Sequence, residues 1–247
     1  FKGVSAITDI HTHILPGVDD GASSVEEALG MLKIAKVNGT GSIALTPHFH
    51  PCKPDSVSNA MKLAESFKMF LPEAGRKFPG LKIVTGAENH VGAGCFDECK
   101  ADGALIPIGR TDYVLIEFDF EGSESDARKA ADAVCAAGYR PIIAHPERYA
   151  FIKEDPARIE YFIASGALLQ LNTGSIMGSL GEKTRRCALS FLSNEEASFV
   201  ASDCHSDTYR TPDMSDCYSF VAAEYSVWYA DVLFEKNPEA VINGVKL

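Results

Sequence analysis

Short apolar runs alternate with amphipathic helical patterns along the whole chain, and this alternation limits the possible folds more than any other feature. Seven of the runs are continuously apolar, which is typical of parallel strands covered on both faces. They span residues 7–10, 42–46, 81–85, 113–117, 141–144, 167–171 and 198–201. Seven βα units in one series predict an α/β fold, a closed or nearly closed βα barrel. An open doubly wound sheet is the alternative, but no G-x-G-x-x-G motif supports it.

Helical patterns fill the intervals between these runs. Ser24 and Glu27 form a capping-box pattern ahead of an apolar stripe. Asp155 followed by Pro156 predicts another helix start. Further helices are predicted near residues 57–71, 127–134, 182–192 and 216–234.

The composition is that of one globular unit. The chain has 247 residues, of which 46% are apolar and 23% are charged, and this length can bury a sizeable core. No linker, low-complexity segment or composition break interrupts it, so residues 1–247 are predicted to form a single domain.

The charge balance excludes one class of partner. Lys and Arg number 23 against 34 Asp and Glu, which gives a formal net charge of −11. Such a chain repels the phosphate backbone, so nucleic-acid binding is not expected. A phosphorylated substrate stays possible, because bound metal ions can reverse the local field.

Cysteine usage and hydropathy predict a cytoplasmic protein. The seven cysteines are odd in number and lack a C-x-x-C motif, so they are expected to be reduced thiols. No apolar stretch approaches 18 residues without a charge or turn, so neither a membrane span nor a signal peptide is expected. The oligomeric state is left open.

Histidines and carboxylates follow most of the predicted strands. In a βα barrel the carboxyl ends of all strands meet at one mouth, where active sites lie. Side chains two apart on an extended segment point the same way, as in the pairs His11/His13 and Asp203/His205. The candidate metal ligands at these strand ends are His11, His13, Asp20, His48, Glu88, Glu117, His145, Asp203 and His205.

A single strand-end histidine is more often a hydrogen-bonding residue than a ligand. That explanation would have to hold separately at several strand ends, so the set favours a metal site. His50 and His90 are the weakest members, with His90 expected at the surface and Asn172 interpreted as a turn cap. Whether His48 or His50, and Asp19 or Asp20, reaches the metal is left open.

The number of donors predicts more than one ion. At three or four protein ligands per ion, with one bridging carboxylate, nine donors suit two to three divalent ions. Mixed imidazole and carboxylate sets suit Mn, Fe or Zn, and we expect Mn first, with Mg also possible. Metal-assisted hydrolysis is the chemistry that such a site indicates.

Motifs in order along the chain resemble a known superfamily. They are DIHTHILPGVDDG, TPH, GAE, LIEF, IAHPERY, QLN and ASDCH. Together they resemble the polymerase-and-histidinol-phosphatase (PHP) superfamily, and in particular its bacterial protein-tyrosine phosphatases of capsule and exopolysaccharide operons (the CpsB/CapC/YwqE type). The resemblance implies a distorted seven-stranded βα barrel with three metal ions.

The resemblance also implies how the ligands are divided. His11, His13, Glu88 and Asp203 would hold one ion, and Glu88 would bridge to a second held by Glu117 and His145. Asp20, His48 and His205 would hold the third. The chain departs from relatives that carry two adjacent histidines where it has His48-Phe49-His50. By the same resemblance, Arg148 and Arg210 match the arginines with which members of the family contact phosphate.

The expected substrate is phosphotyrosine on a protein, namely a bacterial tyrosine kinase that controls polysaccharide export, and this expectation comes from the resemblance. A small-molecule phosphatase acting on a histidinol-phosphate-like substrate is the first alternative. A polymerase-associated phosphoesterase or binding module is the second.

Cys204 and Arg210 match the bare C-x5-R-T pattern of cysteine-dependent phosphatases. That mechanism needs a thiol of low pKa and a loop of backbone N–H groups around phosphate. Asp203 adjoins the thiol and disfavours the thiolate, and the loop contains no glycine. We therefore expect Cys204 to pack as a small apolar residue on the opposite face of the chain from Asp203 and His205.

Overall fold

The computed structural model describes residues 6–92 and 105–247. Nine strands lie in this part of the chain: β1 (Ile7–Asp9), β2 (Thr40–Leu45), β3 (His48–Phe49), β4 (Lys82–Thr85), β5 (Glu88–His90), β6 (Tyr113–Glu117), β7 (Arg140–Ala144), β8 (Leu168–Asn172) and β9 (Phe199–Ala201). All pairings between them are parallel. The seven predicted strands are present, and β3 and β5 are additional.

The two additional strands continue β2 and β4 after a break. One sheet has the order β1-β2-β4, and the other has the order β3-β5-β6-β7-β8-β9. Pro47, which lacks an N–H group, separates β2 from β3. Gly86 marks the break between β4 and β5, and its amide donates to the carbonyl of Leu45. The chain therefore has seven strand positions, two of them interrupted.

The barrel closes between its first and last strands. An isolated parallel bridge joins Thr12 to Cys204, just beyond β1 and β9. The buried Asp9 carboxylate accepts hydrogen bonds from the backbone nitrogen and hydroxyl of Ser202. The predicted distorted barrel is confirmed, and these contacts hold its seam.

Helices cover the outside of the barrel. They are α1 (Val25–Val37), α2 (Ser56–Lys77), α3 (Glu124–Ala136), α4 (Ala150–Glu154), α5 (Glu160–Ala164), α6 (Thr173–Met177), α7 (Glu182–Ser193), α8 (Ser215–Glu224), α9 (Val227–Asp231) and α10 (Asn237–Ile242). Short 3₁₀ turns span Pro146–Arg148 and Pro156–Ile159, and a π-helical turn spans Val232–Lys236.

The predicted single helix over residues 216–234 is wrong. The chain breaks after α8, where Ser226 adopts an extended conformation and its side chain accepts a hydrogen bond from the backbone nitrogen of Tyr229. A residue that caps a new helix start ends the previous helix. The capping side chain at Ser24 is as predicted, since it accepts from the backbone nitrogen of Glu27.

Strand alternation directs polar side chains to the mouth. Tyr113 and Leu115 of β6 pack in the interior of the barrel, whereas Val114 and Ile116 pack against the helices. Side chains two apart share a face, so Glu117 continues the interior row to the end of the strand. The same alternation places Asp203 in line with the interior residues of β9.

The prediction that all cysteines are reduced is wrong for Cys52, which is disulfide-bonded. An odd count and a missing C-x-x-C motif do not exclude a single bridge, which is why the composition argument failed. Cys135, Cys187, Cys204 and Cys217 are free, and Cys95 and Cys99 lie outside the described residues. No helix among the described residues is long and apolar enough to cross a membrane.

Candidate metal centre

The structure brings all nine predicted ligands together at the mouth of the barrel. Their donor atoms fall into four overlapping groups, and within each group the atoms lie within 4.8 Å of one another. The groups are His11/His13/Glu88, His11/His145/Asp203, His48/Glu88/Glu117 and His13/Asp20/His48/His205. Because members are shared, the groups form one continuous cluster of donor atoms.

The innermost group has the spacing of a metal shell. His11 Nε2 lies 3.2 Å from His13 Nε2, 3.3 Å from Glu88 Oε1 and 3.5 Å from Asp203 Oδ1. His13 Nε2 lies 3.4 Å from both Glu88 Oε2 and Asp203 Oδ1. Ligand atoms about 2.1 Å from one tetrahedral ion lie ~3.4 Å apart. The residues therefore fit a metal ion in their midst.

Hydrogen bonds fix which imidazole nitrogens face the centre. His11 Nδ1 lies 2.7 Å from Gln170 Oε1, His13 Nδ1 lies 2.8 Å from Asp19 Oδ2, and His205 Nδ1 lies 3.0 Å from the carbonyl oxygen of Asp203. All three partners are acceptors, so each Nδ1 carries the proton and donates it. The Nε2 lone pairs then point into the centre, as they do in metal-binding histidines.

The carboxylate of Glu88 lies between the groups. Its Oε2 atom is buried and accepts no well-aligned hydrogen bond, although His48 Nδ1 lies only 2.9 Å away. Its Oε1 atom lies 3.0 Å from His145 Nε2. A buried carboxylate oxygen without a hydrogen-bond donor is costly, and a cation shared between the groups would satisfy it.

A further set of close contacts surrounds Glu117. His145 Nε2 lies 3.6 Å from Glu117 Oε1, and His90 Nδ1 lies 3.2 Å from Glu117 Oε2. The other nitrogen of His90 lies 3.0 Å from Asp119 Oδ1. The expectation that His90 is exposed at the surface is therefore wrong, because most of its side chain is covered where it contacts Glu117.

The group of His13, Asp20, His48 and His205 distinguishes between neighbouring residues that the sequence left as alternatives. Asp20 Oδ1 lies 3.4 Å from His48 Nε2 and 3.5 Å from His205 Nε2. Asp19 instead accepts from His13 and from the backbone nitrogens of Gly21 and His48. His50 stands outside the four groups. The geometry thus favours Asp20 and His48 as donors to an ion and Asp19 as a positioning residue.

The loop that carries Asp19 and Asp20 needs a glycine at its end. A Cβ atom on Gly21 would lie 2.0 Å from the carbonyl oxygen of His13. The amide of Gly21 donates to Asp19 Oδ1, and the carbonyl of His13 accepts from Ala22. The absence of a side chain therefore lets the loop fold directly onto the first metal-binding segment.

The site stores backbone strain. Four residues other than glycine have positive φ among the described residues, and three of them are His145 (35°), Asp203 (49°) and Arg210 (53°). Such conformations are uncommon for residues with a side chain and concentrate at functional sites. Here they turn two donors and one arginine out of the strand direction toward the mouth.

Two arginines lie beside the centre and share one carboxylate. Arg148 Nη1 lies 3.3 Å from Asp203 Oδ2, and Arg210 Nη2 lies 2.5 Å from the same oxygen. Arg210 also donates to the carbonyl oxygen of Asp203 at 2.9 Å. The guanidinium of Arg148 lies over the ring of Phe120, 4.4 Å from its centroid. Both arginines are partly exposed, so they can contact a bound anion.

Sequence reasoning missed the role of the polar residues of β8. Gln170 binds His11, as described above, and the amide nitrogen of Asn172 donates to Asp203 Oδ2 at 2.6 Å. The interpretation of Asn172 as a turn cap is wrong, because its side chain caps no helix. Polar residues that alternate with leucine in an otherwise apolar strand were the available signal, since they share one face.

The electrostatics of the site favour positive charge. Burial alone would lower the pKa of His13, but hydrogen bonds and charges from Asp19, Asp203 and Glu88 outweigh it and raise the pKa well above 6.5. Burial would raise the pKa of Glu88, yet His11 and the neighbouring histidines hold it well below its ordinary value. Bound divalent cations would replace the protons that the histidines otherwise hold.

Cys204 lies outside this chemistry. Its side chain is fully buried and packs in the core against the α1 side of the barrel. Burial, followed by the nearby Asp9 carboxylate, raises the pKa of the thiol well above its ordinary value. A nucleophilic cysteine needs the opposite environment, and the expected apolar packing of Cys204 is confirmed.

Comparison with known proteins agrees with this architecture. Residues 7–243 match the family described as capsular polysaccharide synthesis, CpsB/CapC. Tyrosine-protein phosphatase YwqE of Bacillus subtilis is 32% identical over 201 residues, which are 80% of this chain and 76% of YwqE. Tyrosine-protein phosphatase CpsB of Streptococcus pneumoniae is 30% identical over 240 residues, which are 95% of this chain and 97% of CpsB.

A solved structure is similar over almost the whole length. It comes from work on YwqE of Bacillus subtilis and CpsB of Streptococcus pneumoniae, described as metal-dependent tyrosine phosphatases. The TM-score is 0.86 at 26% identity, and the match covers 98% of this chain and 96% of the other.

Proposed function

We propose that this chain, which belongs to the CpsB/CapC family of capsular polysaccharide synthesis, is a metal-dependent protein-tyrosine phosphatase. The observation that supports the proposal most directly is the convergence of nine imidazole and carboxylate donors beside two arginines at one barrel mouth. The relatives named as tyrosine phosphatases supply the substrate class.

We assign the donors to two to three divalent ions, with Mn preferred. His11, His13, Glu88 and Asp203 would hold one ion, Glu88 with Glu117 and His145 a second, and Asp20, His48 and His205 a third. When bound, such ions would supply positive charge to the phosphoryl oxygens and would lower the pKa of water, so that it can lose a proton and act as the nucleophile at neutral pH.

Arg148 and Arg210 are proposed to bind and orient the phosphoryl group. Each guanidinium can donate two hydrogen bonds to its oxygens. Asp203 holds both arginines near the centre through Oδ2, while its Oδ1 faces His11 and His13. One carboxylate thereby links the metal group to the phosphate-binding group, and the attacked phosphorus would lie between them.

The leaving group needs little help from an acid. The phenol of tyrosine has an ordinary pKa of about 10, so its phenolate leaves more readily than an alkoxide. The proposed substrate is phosphotyrosine on a bacterial tyrosine kinase of capsule export, and the reaction would take place in the cytoplasm. This location follows from the proposed substrate and not from cysteine usage, because Cys52 is disulfide-bonded.

The decisive experiment measures hydrolysis of a phosphotyrosyl peptide with chelator, after restoration of Mn²⁺, and in the Cys204→Ser variant. We expect loss with chelator, recovery with Mn²⁺ and unchanged turnover for Cys204→Ser. Cys217→Ser, another buried free cysteine, is the matched control for the packing cost of a buried hydroxyl. Activity that survives chelator but is abolished by Cys204→Ser alone contradicts the metal mechanism.

Substrate class is tested separately. The metal-loaded protein should hydrolyse the phosphotyrosyl peptide with a higher kcat/KM than histidinol phosphate. A strong preference for histidinol phosphate would make this chain a small-molecule phosphatase instead.

A further inference from the structure

The surface next to the candidate metal centre contains a cavity. A cavity of ≈ 670 Å³ opens between the loop after β1 and helix α2. Asp20 and His48 lie in its wall and also belong to the metal centre. The cavity is therefore continuous with the place where the phosphoryl group would bind.

Helix α2 supplies the opposite wall with one polar face. Asn59, Lys62 and Ser66 line the cavity, and their spacing of three and four residues places them on one side of the helix. Leu63, beside them, is buried in the core. Its packing holds this face of α2 toward the cavity, while the Lys62 side chain stays exposed.

No ion pair within residues 6–92 and 105–247 uses the positive charge of Lys62. Among the described residues, no carboxylate forms an ion pair with Lys62. Lys68, further along the same helix, does form an ion pair, with Glu65. The acidic residues of the opposite wall have other partners: Asp19 binds His13, and Asp20 faces His48 and His205. The ammonium group is therefore free to pair with a negatively charged group of a ligand.

We propose that this cavity is a subsite for a residue next to phosphotyrosine in the substrate, and that Lys62 selects an acidic side chain there. The inference rests on the proposed function, because only a peptide offers a neighbouring side chain. The net charge of −11 acts against acidic peptides as a whole. A preference for Glu or Asp beside the phosphotyrosine would thus be opposite to the effect of net charge.

The test uses three phosphotyrosyl peptides that differ only in the residues on each side of the phosphotyrosine, which are Glu, Gln or Lys. For the metal-loaded wild-type protein we expect kcat/KM to fall in the order Glu, Gln, Lys, with about fivefold between Glu and Gln, the upper range for an exposed ion pair. Lys62→Gln should remove the preference, and Lys62→Glu should reverse the order.

Lys33→Glu is the matched control, because Lys33 is exposed on α1 outside the cavity and the change in net charge is the same. It should keep the wild-type order, and circular dichroism should show that all variants are folded. The inference is overturned by a wild-type protein that does not prefer Glu, by Lys62→Glu with the wild-type order, or by an equal change in Lys33→Glu. Failure to hydrolyse any phosphotyrosyl peptide overturns the proposed function itself.

Discussion

The carboxylate of Asp19 accepts a hydrogen bond from His13 Nδ1 at 2.8 Å and thereby orients the opposite nitrogen of the ring toward Glu88 and Asp203. The carboxylate is shielded from solvent and stays ionised. Burial opposes ionisation, but the hydrogen bond and charge of His13 lower the pKa of Asp19 to about 2. Asp19 therefore controls a donor without facing the centre itself.

Asp19→Ala should weaken metal binding by 10- to 100-fold, the usual range for removing a carboxylate behind a ligand histidine. Asp19→Asn should do less harm, since the amide oxygen can still accept from His13. Competition with a chelator measures the affinity. Glu121→Ala, the control, removes one exposed negative charge elsewhere and should bind metal as the wild type does. If Asp19→Ala and Glu121→Ala weakened metal binding equally, the cause would be the change in net charge and not the loss of the hydrogen bond to His13.

Arg148→Ala and Arg210→Ala should each lower kcat/KM for phosphotyrosyl peptide by about 100-fold or more, since each removes donors aimed at the transferred group. Lysine at either position should restore little, because it lacks the planar pair of donors. The control is Arg158→Ala, which removes a surface arginine paired with Glu124 and Asp155. Retention of near wild-type kcat/KM in both alanine variants would exclude phosphate binding by these residues.

Gly21→Ala should cost most of the activity without unfolding the protein. The new Cβ would lie within 2.0 Å of the His13 carbonyl oxygen, so the loop with Asp19 and Asp20 must move away. Gly75→Ala is the matched change: it adds a methyl group in helix α2 with open space around it and should stabilise the protein by up to about 1 kcal/mol. Thermal unfolding and turnover of both variants check this, and a fully active Gly21→Ala would contradict the loop packing.

The metal-free protein should lose stability as the pH rises through the titration of Asp9. Burial outweighs hydrogen bonds from Ser202 and His11 and raises the pKa of Asp9 from 3.8 to about 6. The folded state therefore binds this proton more tightly than the unfolded state. The resulting stability is complete below pH ~4 and is lost by about pH 7, with a difference of about 3 kcal/mol.

Urea unfolding of metal-free wild type and Asp9→Asn at several pH values between about 4 and 7 isolates this contribution from other titrating groups. The stability of the wild type relative to the variant should fall across the window. Parallel curves for the two proteins would show that the pKa of Asp9 is the same in the folded and unfolded states, which contradicts this prediction.

The parts of the site that lie on strands could be predicted from the sequence. Glu117 ends a strand whose interior row begins with Tyr113, and Asp203 follows β9 in the same way, so strand periodicity alone directs both to the barrel mouth. The seven strand positions followed from the same apolar runs. Which donors share an ion stays a prediction.

The parts that depend on a returning loop could not be predicted. Asp19 and Asp20 are adjacent acidic residues in one loop, and only the fold over Gly21 decides that one binds His13 and the other faces His48. His90 appeared to be a surface residue, because its contact with Glu117 comes from the pairing of β5 with β6.

Three donors of the innermost group come from opposite ends of the barrel: His11 and His13 follow the first strand, and Asp203 follows the last. During synthesis the amino-terminal histidines leave the ribosome long before residue 203 is made. The site therefore cannot be completed until nearly the whole barrel has emerged. A nascent or truncated chain has incomplete donor groups. We therefore expect activity only after the last strand has joined the barrel.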